Sequence, residues 1–577
     1  MHSKNIFLFA GVGVLSVTAL TGCKKDNKDD EYTSDGKLKI SMRNLYFDDY
    51  TGGDYYIREL ENTFGVKIKF QSYSWANWST QVTGQVNGGN LPDVFHANID
   101  SYNFANSYKF WANEKIVKAL PDDLSKWPNI ANLIANTSNI DALRINGKLY
   151  GIPIAKNTTD YSTSFSPFTY IYRKDWARKI DLKNRVLNPD GTPKFEEDGV
   201  TPVYKDGYTP ITQEDDEYTW EQFEALLAAF KTELQGSNRY ALGDVEWGFP
   251  SIINFYKQVP HCFAFNNETN KYVNNYLTDA YLKGLDKAKE FKTKGWYYPS
   301  QNEARDGDIN TQYCSNKIGV FYENLSYSNF YTIKKNLKAN NASIDDFDVD
   351  AATAIMKIRG PQGETGSDYA GGKYALEGTD NWFSMTFFDR KISNKKLEKV
   401  LDILDWLLSP EGTQYAIYGI EGYDYIYEDY FNPETEQMEQ RIKLVDAYWP
   451  KAQDGSYARK DNGAKFLRYL CSLGYDTLSY DPLTDKEAVA YLENWEAEMK
   501  QALANNELYV LKETSEVMWL TSDMKSQYSG QLRTNALATV MNYVYGTNGI
   551  TSKSAYKAEF GYPWSEVLAE INRKLGY

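Results

Sequence analysis

The 577-residue chain is poor in histidine and cysteine. It has three His (His2, His96, His261) and four Cys (Cys23, Cys262, Cys314, Cys471). That leaves little material for a metal site built on imidazole or thiolate. Without Cys23, three widely spread cysteines remain, which is no disulfide framework; packing is the expected role of these thiols. Beyond the N-terminus no stretch reaches the ~18 uninterrupted apolar residues of a membrane-spanning helix. Positive charge is also short. Lys and Arg number 63 against 78 Asp and Glu, a net charge of −15. This argues against nucleic acid or anionic lipid as the main partner. There is no nucleophile elbow, phosphate loop or zinc helix. No repeat at a fixed period suggests a solenoid. Aromatic residues, by contrast, are plentiful: 47 Tyr, 27 Phe and 14 Trp make up 15% of the chain. Tyrosine leads. Tyr and Trp suit surfaces that need a flat apolar face with a polar edge.

The first residues have the order of a secretory signal. Lys4 follows Met1, an apolar stretch runs from Ile6 to Leu20, and Leu20-Thr21-Gly22-Cys23 closes it. That ending resembles the lipobox of bacterial lipoproteins. The resemblance implies a signal peptide over residues 1–22 and a lipid on Cys23, the first mature residue. Cleavage there removes only Lys4 among the charged residues, leaving the mature chain one unit more acidic. Residues 23–36 then read as a flexible polar tether.

The body opens with alternation. Leu38–Met42 and Val66–Phe70 read as strands, Ile57–Phe64 as a helix ended by Gly65, and Asp93–Ala97 as a third strand. This is the rhythm of a parallel sheet covered by helices. Asn146-Gly147 marks a turn before a strand at Ile152-Pro153, and Phe168–Tyr172 reads as another strand. Residues 181–218 read as loop. Thr219-Trp220-Glu221-Gln222 is a capping box, and Trp220, Phe223, Leu226, Leu227 and Phe230 follow at core-facing helical spacing. Ser393 opens a helix whose stripe is Leu397, Val400, Leu401, Leu404 and Leu408. From about residue 430 the pattern reads as mostly helical to Tyr577.

Five segments together resemble the extracellular solute-binding proteins of bacterial ABC importers, in the sugar-binding group. They are Gly88–Val94, Asn146–Pro153, Thr219–Phe230, Lys317–Phe321 and Asp380–Tyr425. The last contains Trp406-Leu407-Leu408-Ser409-Pro410-Glu411-Gly412. The resemblance implies an α/β, two-lobe periplasmic-binding-protein-like fold of type II. Each lobe would be a mainly parallel sheet flanked by helices, with a hinge between lobes and a helical C-terminal region. It implies an N-terminal lobe over 37–165 and 352–425, and a C-terminal lobe over 166–351 and 426–577. It also implies a non-catalytic monomer that holds no cofactor. Lipid-anchored outside the cytoplasmic membrane, it would capture an oligosaccharide and deliver it to ABC permease subunits.

A sugar presents C–H faces that stack on aromatic rings and a rim of hydroxyls that carboxylates and amides satisfy. Ligands of α/β sheets bind beyond the carboxyl ends of strands. On the first lobe the candidates are Tyr46, Asp48, Trp75, Trp78, Asp100 and Tyr102, with Trp382 from the returning segment. On the second lobe they are Trp247, Glu323, Tyr327 and Trp519. His96 follows a strand and reads equally as a site residue or a structural one. The acidic run Glu214–Glu217 reads as a solvated face, and no loop has the spacing of an EF-hand. Two rival readings stay open. One is a glycosidase-like surface enzyme, since paired carboxylates are unavoidable among 78 acidic residues. The other is a binder of peptides or other solutes on the same fold.

Overall fold

The computed structural model describes residues 31–577 except 48–49, 74–76, 99–101, 157–167, 234–238, 245–248, 257–262, 267–268, 300–308, 326, 345–346, 363–370, 379, 433–435, 446–461, 474–485, 512–528 and 563. The strands in chain order are β1 (Leu38–Asn44), β2 (Val66–Ser72), β3 (Val94–Ala97), β4 (Gly151–Ala155), β5 (Phe168–Arg173), β6 (Glu217–Tyr218), β7 (Tyr240–Asp244), β8 (Phe263–Asn266) and β9 (Lys271–Asn274). Then come β10 (Ile318–Asn324), β11 (Thr353–Ile358), β12 (Tyr374–Glu377), β13 (Trp382–Phe388), β14 (Tyr425–Asn432), β15 (Gln437–Leu444) and β16 (Leu508–Leu511).

Two five-stranded sheets organise the molecule, in the orders β2-β1-β3-β13-β4 and β6-β11-β5-β10-β7. Both are mixed. In the first, β1 runs parallel to β2 and β3, while β13 is antiparallel to β3 and β4. In the second, β5 is antiparallel to β10 and β11, which pair in parallel with β7 and β6. The sequence rhythm conveys the parallel part. The antiparallel members enter from distant segments.

Local chemistry sets the element ends. Asp54 caps helix Tyr55–Phe64 by accepting from the Ile57 amide at 3.0 Å, and Gly65 closes it at φ 67°. The Thr219 box forms as expected. The Gln222 side chain accepts from the Thr219 amide (2.8 Å), and Thr219 Oγ1 accepts from the Gln222 amide (3.2 Å). Ser393 caps helix Asn394–Leu408. Asn146 and Gly147 take positive φ in the expected turn.

Three expectations need correction. β11 hydrogen-bonds within the second sheet, so the chain has not returned to the first lobe at residue 352; it returns between β12 and β13. Helix Gly463–Arg468 packs on the first lobe, where the Ala155 amide donates to the Cys471 carbonyl. The stretch after 430 is not simply helical. β14 and β15 form a hairpin with one face of Tyr425, Tyr427, Phe431, Met438, Ile442 and Leu444, and another where Glu428 pairs with Arg441 and Lys443. Alternation there follows a strand period, which charged residues hide from a helical reading. The helices of the tail otherwise hold. Helix Ser529–Tyr545 packs on helix Asp279–Thr293, with Tyr543 donating to Asp286 at 2.8 Å.

Much of the tyrosine lies in the cores. Tyr108, Tyr172, Tyr218, Tyr276, Tyr281, Tyr313, Tyr322 and Tyr556 are fully or almost fully buried. Several of their hydroxyls find partners: Tyr108 donates to the Leu143 carbonyl (2.5 Å), Tyr172 to Asp216 (2.6 Å) and Tyr556 to the Tyr276 carbonyl (3.1 Å). A buried tyrosine is cheap when its hydroxyl is bonded. Tyrosine abundance is therefore in good part a packing trait of this chain. Cys314 and Cys471 are buried free thiols, as expected.

Candidate functional site

The strand directions fix where the two sheets approach each other. β4 ends at Ala155 and β5 begins at Phe168; β12 ends at Glu377 and β13 begins at Trp382. The second link is four residues long and spans at most about 18 Å. The facing edges are therefore the carboxyl ends of β1–β4 with the start of β13, and the carboxyl ends of β7, β10 and β11 with the start of β5. Here an α/β sheet presents its ligand groups.

On the second-lobe edge, Glu377 Oε1 accepts from Tyr322 OH (3.1 Å) and Asn254 Nδ2 (3.4 Å). Tyr322 stacks on Phe168 at 6.1 Å. Behind them Asp244 accepts from the Ser251 amide (2.9 Å) and hydroxyl (2.7 Å), and Ser251 bonds Tyr170. Burial first, then the nearby acids, pushes the Tyr170 and Tyr322 hydroxyls well above the usual phenol range, so both stay neutral donors.

The link carries the contacts across to the first lobe. Asp380 accepts from Ser138 Oγ (2.8 Å) and Asn139 Nδ2 (3.0 Å). Asn381 donates to the Asn136 carbonyl (2.7 Å) and accepts from the Ser138 amide (2.9 Å). One short segment thus holds a carboxylate network in each lobe. Its chemistry is carboxylates, amides, hydroxyls and a stacked ring pair, a set that suits a neutral polyhydroxylated ligand.

Of the expected site residues, Trp382 lies at the start of β13, buried, with its indole donating to the Ser138 carbonyl at 3.0 Å. Trp78 begins helix Trp78–Gly88 and is buried. Glu323, at the end of β10, is buried and accepts from Asn310 Nδ2 (3.1 Å) and the Asn324 amide (2.8 Å). Tyr46 lies in the turn Leu45–Phe47, and Tyr102 and Tyr327 begin helices Tyr102–Asn113 and Tyr327–Asn340; only their backbone is described. Cys23, Asp48, Trp75, Asp100, Trp247 and Trp519 lie outside the described residues. The structure thus brings Trp382 and Glu323 to the facing edges and leaves Trp78 in the first-lobe core. The sequence reading missed Glu377, Asn254 and Phe168. Glu377 ends β12, which was the available signal, whereas Phe168 begins β5 and has its place at the edge only because β5 runs antiparallel to β10. Asn254 sits in the 3-10 turn Ser251–Tyr256, and no pattern marks it.

Two other candidates resolve. His96 is fully buried on β3, with Nε2 2.6 Å from Ser384 Oγ, and burial pushes its pKa down to about 3. It is a neutral structural residue. The acidic run is not merely solvated: Asp216 pairs with Lys174 (2.9 Å) and Glu214 with Arg178 (2.8 Å). Among the described residues no group of three or more His, Cys, Asp or Glu is placed to hold a metal, and no helix is long and apolar enough to cross a membrane.

No family model and no curated protein matches the sequence. Solved structures do match the fold. The alginate-binding protein AlgQ2, solved without calcium ion, is 14% identical, with a TM-score of 0.58, covering 94% of this chain and 99% of that one. The S. pneumoniae ABC-transporter substrate-binding protein FusA, in complex with kestose, is 15% identical, with a TM-score of 0.55, covering 93% and 98%. An HMO-binding, ABC-transporter-associated solute-binding protein from Bifidobacterium longum infantis is 13% identical, with a TM-score of 0.54, covering 93% and 98%. The chain therefore has the two-lobe α/β fold of a solute-binding protein. More narrowly, over nearly its full length it has the fold found in carbohydrate-binding components of ABC importers.

Proposed function

We propose that this protein is the carbohydrate-capturing component of an ABC importer, held outside the cytoplasmic membrane by a lipid on Cys23. It binds an oligosaccharide between its lobes and delivers it to the permease subunits. The observation that carries this reading is the short link Gly378–Asn381. It ties Glu377, Tyr322 and Asn254 on one lobe to Asp380, Asn381 and Ser138 on the other, at the facing strand ends of a solute-binding fold. The alginate, kestose and HMO binders on the same fold support the choice of ligand class. The rings and acids expected at these edges, Tyr46, Asp48, Trp75, Asp100, Tyr102, Trp247, Tyr327 and Trp519, supply stacking faces and hydroxyl acceptors.

Calorimetry against a panel of plant and host oligosaccharides tests the reading. Saturable binding of at least one glycan, with no product released, is the expected result. Tight binding of peptides with no glycan bound would overturn it. Breakdown of the bound sugar would replace it with the enzyme reading. Trp75→Ala, Tyr327→Ala and Trp519→Ala should each weaken glycan binding by about 1 kcal/mol, roughly fivefold in Kd, with unfolding unchanged. If all three bind like the parent, these residues do not line the cleft.

A further inference from the structure

A second place on the molecule is built for a ligand of different charge. It lies on the outer face of β1 and β2 and reaches their carboxyl ends at Arg43 and Ser72. There Ser41, Arg43, Lys69, Gln71 and Ser72, with Gln85 from helix Trp78–Gly88, line a groove of about 560 Å³ that Asn90–Pro92 closes at one end. β1 and β2 pair in parallel with Arg43 opposite Gln71 and Ser41 opposite Lys69. Arg43 and Lys69 are therefore diagonal neighbours on one face, about 7–8 Å apart at the backbone.

Among the described residues the cations in this groove are not neutralised. Arg43 is half-buried and firmly placed. Its Nε donates to the Ser72 carbonyl (2.9 Å), its Nη2 donates to Gln81, and its guanidinium lies 4.3 Å from the Tyr73 ring centre. Tyr73 is in turn held by Gln85 at 2.9 Å. All these partners are neutral. Of the five N–H groups on the guanidinium, these bonds use two. Lys69 is exposed on the groove wall. Among the described residues no carboxylate pairs with either cation. The carboxylate at the groove end, Asp93, is committed to Lys396 (3.1 Å) and to the Ser41 amide (2.8 Å) and hydroxyl (2.9 Å). Glu61, beside β2, pairs with Lys67.

Among the described residues, Arg43 is thus a half-buried guanidinium held by neutral partners only, with N–H groups to spare for an anion. A fixed guanidinium fork with spare donors, a mobile ammonium beside it, and hydroxyl and amide donors around both match a tetrahedral oxyanion. We propose that this groove binds a phosphate-type oxyanion, with Arg43 as the oriented bidentate donor and Lys69 as the second charge. The shared chemistry is the phosphate group, whether free or on a lipid headgroup.

The test is a titration of the full chain with inorganic phosphate and, separately, with dihexanoyl phosphatidylglycerol below its micelle concentration. Binding is followed by calorimetry and by the phosphorus NMR linewidth. Saturable binding of either probe is expected. Arg43→Gln should weaken it about tenfold, the loss of one charge-assisted hydrogen bond. Lys69→Gln should weaken it several-fold, and this exposed site keeps the test valid should Arg43→Gln misfold. Which probe binds more tightly identifies the source of the phosphate. Absence of saturable binding to both probes would overturn the proposal. So would binding that neither substitution weakens.

Discussion

The β1–β2 edge of the first sheet and the centre of the second solve the same packing problem differently; β3, β4 and β13 of the first sheet are buried on both faces. β1 and β2 alternate, with Leu38, Ile40, Met42, Val66, Ile68 and Phe70 buried and Lys39, Lys67 and Lys69 open to solvent. In the second sheet, β5, β10 and β11 are buried on both faces over almost every residue. A half-covered strand pair writes its period into the sequence, whereas a doubly covered one writes only an apolar run. The half-covered β1–β2 pair also has an open face for charged chemistry, and the groove around Arg43 occupies it. The doubly covered sheet can present function only at its strand ends, where Glu377, Tyr322 and Phe168 gather.

Substitutions can break this contrast. The largest effect belongs to the second sheet. Phe321, fully buried on β10 with its ring 4.6 Å from Tyr313, should cost about 3–5 kcal/mol when changed to Ala, read by urea unfolding. A loss below about 1 kcal/mol would mean that this sheet is less tightly covered than described.

An intermediate effect separates the sheets by pH. His96 in the first sheet has a folded pKa near 3, below its ordinary value of 6.5. The unfolded chain therefore binds the extra proton first. The stability this neutral side chain contributes is complete above pH 6.5 and is lost as pH falls from 6.5 towards 3. Between those limits the parent should lose up to about 1.4 kcal/mol more per pH unit than His96→Asn. Equal slopes would mean that His96 reaches solvent when charged. The buried phenols of the second sheet titrate far above this range and add no slope there.

The smallest effect is expected on the open face. Lys69→Gln should change stability by no more than about 0.5 kcal/mol. A larger loss would make Lys69 part of the scaffold rather than of a ligand groove.

The same contrast explains what could be read from the chain. β1 and β2, the Thr219 box and the Ser393 cap rest on contacts between near neighbours, and they were legible. β11 and helix Gly463–Arg468 were misplaced, and β13 was put in the right lobe without being read as a strand, because their packing depends on partners far away in the chain. The hairpin at 425–444 was missed because its ion-paired face masked a two-residue period. At the candidate site, Asp380 and Asn381 were visible only as neighbours of Trp382. Their work, tying Ser138 and Asn139 to the link, depends on contacts some 240 positions apart. Tyrosine misled in another way: composition cannot distinguish a phenol bonded inside a core from one waiting for a sugar.

The position of β13 has a consequence in time. It lies between β3 and β4, and residues 471–473 lay a further bridge along β4 through Ala155. The first sheet therefore stays split, with two open edges, until the ribosome has passed residue 388, and its outer edge stays bare until about residue 473. Such late-closing pairs are slow to form and prone to wrong partners meanwhile. A nascent chain of this design cannot complete its first lobe early.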